Sequence, residues 1–292
     1  MTVIKYKKIW YALSMLLIAA SFWAIHKYSF NLSTDFKGGT ITEVSYTKRP
    51  EKDLLESNIK KLNLGGFSLR PSGEKNYIVR TKELSPEQIK ELKEILEGNI
   101  ERQNTIGPVA GAELQSKAVK AIMVVVLMIV LFVTFAFRKV SKPVASWKYG
   151  LATIIALAHD VIIPTGIFVF LGHEVDLLFV TGLLAILGYS VHDTIVVFDR
   201  VRENLRINED KEFEATVGKS VSQTFTRSIN TSVTILIMLL ALYIFGSSAT
   251  QAFSLLLIIG LIAGTYSSIF IASPLLVTFY KLQKNRPHPA LS

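Results

Sequence analysis

The chain has 292 residues, half of them hydrophobic, with 32 Lys and Arg against 23 Asp and Glu for a net charge of +9, and no cysteine. Lack of cysteine excludes disulfides and thiolate metal sites, and several apolar runs near the ~20 residues that cross a bilayer exclude a soluble enzyme. The charge does not indicate nucleic acid, because its excess is local. Residues 29–117 hold fourteen basic and thirteen acidic side chains, whereas the surplus gathers at the amino terminus, in Arg138–Lys148 and at Lys281, Lys284 and Arg286. Basic clusters beside a membrane suit anionic lipid.

In chain order, the first apolar run, Ile9–Ile25, follows Lys5, Lys7 and Lys8. Ser21–His26 offers no small-x-small cleavage site, so the run reads as an uncleaved signal anchor. About ninety residues precede the next run, too many for a simple loop. They predict a strand over Gly39–Tyr46, a helix over Glu51–Leu62 with Leu54, Leu55, Ile59 and Leu62 on one face, and strands at Phe67–Arg70 and Asn76–Arg80. A second helix starts with Ser85 at its cap, Pro86 at its first position and Gln88 three residues after the cap. It runs to about Glu97 with Ile89, Leu92, Ile95 and Leu96 inward, and a strand at Arg102–Ile106 follows. The β-α-β-β-α-β order is a ferredoxin-like α+β pattern, which by itself names no activity. Gly38-Gly39 and Gly65-Gly66 read as turns, because no strand–glycine–helix context surrounds them. The domain carries no metal-spaced cluster and no nucleophile–base pair, and no cofactor is implied.

Five further apolar runs follow at Ala118–Phe137, Gly150–Leu171, Val175–Phe198, Ile229–Phe245 and Ala252–Tyr280. The predicted fold class is a polytopic α-helical membrane protein with six transmembrane helices and an extracytoplasmic ferredoxin-like domain. The short turns Gly172–Glu174 and Gly246–Gln251 carry no Lys or Arg, so the positive-inside rule puts both termini in the cytoplasm and the α+β domain outside. The expected division is 1–28 for the amino-terminal end and first span, 29–117 for the outer domain and linker, 118–282 for a five-helix membrane domain, and 283–292 for a cytoplasmic tail.

The fourth run contains His192 and Asp193. A carboxylate in hydrocarbon costs at least ~2.5 kcal/mol and needs a partner, a cavity or a proton. Asp193 sits about six residues, ~9 Å of helix rise, from the expected cytoplasmic end. Arg227, near the start of the fifth run, is a candidate partner. Burial disfavours a carboxylate's charge and a cation favours it, so a group subject to both changes protonation with its surroundings; the alternative is a permanently bonded strut. Asp160, in the third run, is either a second titrating group or a buried structural carboxylate. Its neighbour His159 points ~100° away and reads as a hydrogen-bonded core histidine. His192, with an unperturbed pKa near ~6.5, either adds a proton site or makes one polar contact. Thr226, Asn230, Thr231 and Thr234 read as interhelical hydrogen-bonding groups or as holders of water that carries protons, Gly260–Gly264 as a close-packing face and Pro164 as a kink. Glu174 and Asp176 read as solvated turn residues, or as the outer mouth of a proton path. Asp199–Ser220 reads as a solvated interfacial helix whose Asp199–Arg200 pair anchors the end of the span.

Five motifs follow one another on these spans: Asp35-Phe36-Lys37-Gly38-Gly39-Thr40, Gly107-Pro108-Val109-Ala110-Gly111-Ala112-Glu113-Leu114, Gly188–Asn204 with Asp199 and Arg200, Thr226–Ser232, and Gly264–Ser268. Together they resemble the signatures of the SecD/SecF family of bacterial protein-export membrane proteins, on its SecF side, within the resistance-nodulation-division superfamily. Ala110 stands where that pattern has Val, and His192 where Asn is usual. The resemblance implies a SecD partner forming a twelve-helix unit beside the SecY-E-G translocon in the bacterial inner membrane. YajC-type and YidC-type accessory proteins and unfolded exported polypeptides are implied as further partners, and nucleic acid is not. It implies a proton-driven transport component rather than an enzyme, one that uses the proton-motive force to promote late-stage translocation of secreted polypeptides. It maps the proton relay onto Asp193 and Arg227; Asp160 and His192 are further candidates from the residues themselves. Two other functions stay open: a passive scaffold of the translocon, and a small-molecule exporter of the same superfamily. Against the exporter, the small outer domain leaves no large porter domain for a substrate pocket.

Overall fold

A computed structural model describes residues 2–64, 66–138, 144–207 and 212–284. Gly65, part of the basic loop (139–143), residues 208–211 of the charged segment, and the tail from 285, with Arg286, lie outside the described residues.

After a one-turn helix α1 (Thr2–Lys5), α2 (Lys7–Tyr28) is the first membrane helix, and a short helix α3 (Thr34–Lys37) leads into the α+β domain. There β1 (Gly39–Ser45), α4 (Lys52–Lys61), β2 (Phe67–Ser72), β3 (Asn76–Thr81), α5 (Pro86–Leu96) and β4 (Asn99–Ile106) follow in the expected order. The sheet runs β2-β3-β1-β4 with every pair antiparallel. Side chains alternate across it. Val44, Leu69, Tyr77 and Val79 face Leu55, Ile59, Leu92 and Leu96 of the two helices, all buried. Alternation puts Glu43, Arg70, Ile78 and Arg80 on the opposite face. The α5 start is the expected capping box: Ser85 Oγ accepts from the Gln88 amide at 3.3 Å, and Gln88 Oε1 accepts from the Ser85 amide at 3.0 Å. One predicted inward residue is misplaced. Leu54 is 61% exposed, because only Leu55 and Ile59, one turn apart, point squarely at the sheet.

The remaining spans are α6 (Pro108–Ala136), α7 (Ser146–Phe170), α8 (Leu177–Ile207), α9 (Phe213–Phe245), and a sixth composed of α10 (Ser248–Ser267), a π-helical turn (Ser268–Ala272) and α11 (Ser273–Lys284). Among the described residues, six helices are long and apolar enough to cross a membrane. The sixth span, α7 and α8 form the interior, while α2, α6 and α9 direct most of their surface outward. Helix α7 continues unbroken through Pro164.

The expectation of a solvated segment from Asp199 to Ser220 is corrected. Helices α8 and α9 run past the apolar windows and pack on each other: Val201, Phe213, Val217 and Val221 are buried with Val197 and Phe198, and Asn204 Nδ2 donates to Ser220 Oγ at 2.8 Å. Only the outer face is charged. There Arg200 meets Gln223 of α9 and Glu203, and Asp199 pairs with Arg202 on its own helix rather than with Arg200.

Candidate functional site

Two buried carboxylates lie in the membrane interior, on helices α7 and α8. Asp160 is fully enclosed and fully bonded. Its Oδ2 accepts from Ser267 Oγ at 2.6 Å and from Ser190 Oγ, and its Oδ1 meets His159 Nδ1 at 2.8 Å. The carboxylate thus joins α7, α8 and α10 at one point. The reading that adjacent His159 and Asp160 diverge is corrected: the imidazole folds back to its neighbour while its ring stacks on Tyr266 with centroids 5.7 Å apart. Pro164 supplies no N–H, so the Asp160 carbonyl one turn earlier also lacks its helical donor.

Asp193 is different. It is 6% exposed, and Ser228 Oγ of α9 donates to its Oδ1 at 2.5 Å. Its Oδ2 is buried with no hydrogen-bond partner among the described residues. Ser268, on the π turn, lies beside it, but that hydroxyl is engaged by Thr194 Oγ1 at 2.8 Å and by the Ser190 carbonyl at 3.3 Å. Ser190, Asp193 and Thr194 share one face of α8 by their i, i+3 and i+4 spacing, so both carboxylates belong to one polar seam. The π turn widens the sixth span there, a local distortion that often accompanies function.

A narrow cleft opens on the other side of Asp193, lined by Tyr189, His192, Asp193, Val196, Arg227 and Thr231. His192 and Arg227 are exposed. Arg227 makes no ion pair among the described residues, so it faces the cleft without closing on Asp193. The structure therefore brings Asp193, His192 and Arg227 to one cleft and places Asp160 behind it. The expected interhelical role of Thr226, Asn230, Thr231 and Thr234 is corrected. All four are exposed, and Thr231 and Thr234 bond their own helix at the carbonyls of Arg227 and Asn230. The interhelical bonds come from the adjacent face, where Ser232 Oγ lies 2.6 Å from both Tyr189 OH and Thr265 Oγ1. Ser190, Ser228, Ser232 and Ser267 lie within the motifs quoted above, which assign them no role as partners of the carboxylates; the available signal is repeated serine within apolar runs.

The signature residues have mostly structural places. Asp35 Oδ2 accepts from the Leu177 amide at 3.2 Å, at the start of α8. Gly38 and Gly111 permit close chain approach, since a Cβ on either would come within 2.8 Å of backbone atoms at Pro108 or Phe36. Gly39 has φ 141°. Gly107 precedes Pro108 at the α6 start, Glu113 pairs with exposed Lys117, and Leu114 packs beside Phe36. Gly188 faces open space on the cleft helix. The reading of Glu174 and Asp176 as solvated is overturned. Glu174 pairs with Arg70 and Arg80, its side chain 12% exposed, and Asp176 Oδ1 accepts from the Phe179 amide at 2.8 Å. Burial pushes the Asp176 carboxyl above the usual range, with the Asp35 and Glu174 charges adding to the effect.

Residues 87–282 match the family described as protein export membrane protein SecD/SecF, C-terminal. The protein translocase subunit SecF of Thermobaculum terrenum is 38% identical over 95% of this chain and 93% of its own length. That of Sebaldella termitidis is 34% identical over 96% and 92%. Among solved structures, SecDF from Thermus thermophilus, a translocon-associated membrane protein, superposes with a TM-score of 0.83 at 32% identity over 98% of this chain. A super-membrane-facing form of SecDF superposes with a TM-score of 0.69 over 97%. The chain spans 39% of the length of each of these two solved chains. At this identity and coverage, the chain belongs to the SecD/SecF family of protein export membrane proteins.

Proposed function

We propose that this multi-pass membrane protein is an accessory subunit of the Sec protein-export machinery, working with SecD beside the SecY-E-G translocon and drawing on the proton-motive force to promote late translocation of unfolded polypeptides. YajC-type and YidC-type proteins are further proposed partners. The proposed orientation places both termini in the cytoplasm and the α+β domain outside the bacterial inner membrane.

The unpartnered Oδ2 of Asp193 beside the Tyr189–Arg227 cleft carries the proton-coupled reading. A proton arriving on that oxygen breaks no existing hydrogen bond, whereas one arriving on Asp160 must displace Ser190, Ser267 or His159. Asp193 is therefore the proposed carrier, and Arg227 the cation that favours its charged form from across the cleft. His192 is a second proton acceptor at the cleft mouth. Asp160 holds three helices in register around the carrier. Protonation shifts a conformational equilibrium only through differing affinity in the two states, and the single Ser228 contact is one that a helix displacement can make or break. The test is translocation into inverted membrane vesicles carrying Asp193→Asn, with and without an imposed proton gradient. Loss of gradient-dependent stimulation with the complex still assembled supports the reading; unchanged stimulation makes Asp193 a strut and the chain a scaffold.

A further inference from the structure

The α+β domain is tied covalently to the membrane helices along one edge of its sheet. β1 follows α3 directly, β4 runs into α6, and the order β2-β3-β1-β4 makes these two strands neighbours. The close approach of Gly38 to Pro108 and of Gly111 to Phe36 binds the two connections together, so this edge is the hinge. The β2–β3 edge has no covalent tie to the membrane helices. In the sheet register Ser68 lies opposite Arg80, which places Arg70, two residues on, on the same sheet face as Arg80. Both guanidinium groups reach the turn between α7 and α8, where Arg70 Nη1 lies 3.0 Å from Glu174 Oε1 and Arg80 pairs with Oε2.

We propose that Glu174, gripped by Arg70 and Arg80, is the positioning contact that latches the free edge of the α+β domain onto the α7–α8 turn, so that movement of α8 is delivered to the domain. The turn is fixed to α8 by Asp176, whose Oδ1 accepts from the Phe179 amide at 2.8 Å, and Asp35 of α3 accepts from the Leu177 amide beside it. It is fixed to the linker after α2 by the Val175 amide on the Asn31 carbonyl at 2.9 Å and the Ser33 amide on the Val175 carbonyl at 3.0 Å. From Leu177 to Asp193 the helix is uninterrupted. An exposed ion pair would be a weak tether. Here the Arg70 side chain is 49% exposed, but that of Glu174 is 12% exposed and that of Arg80 22%, so Arg80 is the firmer half of the grip, and neutralising the carboxylate leaves two like charges side by side around a buried amide.

The delivery of movement rests on the proton-coupled reading of Asp193, while the docking does not, and the experiment separates them. The chain lacks cysteine, so Lys93→Cys on α5 and Phe245→Cys at the end of α9 place one spin-label pair across the joint. Distances are measured on the full chain with its SecD partner in a bilayer, and gradient-stimulated translocation on the same variants. The native latch gives one narrow distance. Glu174→Gln lowers the ratio of docked to undocked populations about tenfold and lowers stimulation with it, and the reversed set Glu174→Arg, Arg70→Glu, Arg80→Glu restores both. A distance distribution unchanged in Glu174→Gln and in Arg70→Ala with Arg80→Ala overturns the latch. Undocking with full stimulation overturns the delivery of movement. Asp193→Asn that retains stimulation refutes the proton-coupled reading alone, leaving the distance result intact.

Discussion

Asp160→Ala and Asp193→Ala remove the same atoms from the same kind of site, yet the geometry predicts unequal costs. Asp160 accepts three contacts, from His159, Ser190 and Ser267, and Asp193 accepts one, from Ser228. Interhelical side-chain hydrogen bonds within membranes average about 0.6 kcal/mol, so Asp160→Ala loses about 1.2 kcal/mol from Ser190 and Ser267, besides its contact with His159 on the same helix, and Asp193→Ala about 0.6 kcal/mol. Because the deleted volume is identical, the cavity contribution largely cancels in the comparison. Unfolding of the reconstituted chain by denaturing detergent, followed by helix content or by a trap on the unfolded state, reads the difference. Asp193→Ala destabilising as much as Asp160→Ala would refute the division into a structural and a half-bonded carboxylate.

Three further predictions concern packing, capping and pH. Gly166→Ala puts a Cβ 2.5 Å from the Ser21 Cα, so α2 and α7 must separate at an overpacking cost of about 1–3 kcal/mol; Gly188→Ala, with nothing within 4 Å, is neutral or slightly stabilising in the same unfolding assay. Ser85→Ala removes the α5 capping box and costs about 1 kcal/mol, seen as faster hydrogen exchange in the first turn of α5 with the sheet unchanged. For Asp176, a folded pKa above the unfolded value means that the unfolded chain releases its proton first as pH rises. Its contribution to stability is therefore fully present below the unfolded pKa and is lost as pH climbs through the folded one. Asp176→Asn keeps the capping acceptor, is more stable than the native chain at neutral pH, and loses that advantage in acid; a pH series of thermal unfolding midpoints checks the sign.

The α+β domain was legible because its signals are local. Alternation in β1 and β3, the 3.6 period carrying Leu55 and Ile59, and Ser85-Pro86-Glu87-Gln88 each act within a few residues. The spans were legible as lengths of apolar sequence, but their inner faces were not. A helix bordering hydrocarbon is apolar on both sides, so periodicity does not separate the buried face of α9 at Ser228 from its exposed one at Arg227 and Thr231. Asp160 and Asp193 stood out by their cost, whereas their serine partners did not, since a serine in an apolar run satisfies itself on its own helix equally well. Glu174 was misread for the same reason in reverse: its partners lie on strands far away in the chain, and only the sheet order brings Arg70 and Arg80 to one face.

If Asp193 carries the proton, its protonation differs between two arrangements of the membrane helices. Infrared difference spectroscopy on the complex reads it most directly, with the two arrangements held by cysteine cross-links and the carboxylic acid band assigned by Asp193→Asn. The carboxylic acid band is expected to differ between the two arrangements, and that difference to vanish in the variant. The same band in both, at every pH tested, would contradict the proton-coupled reading of Asp193.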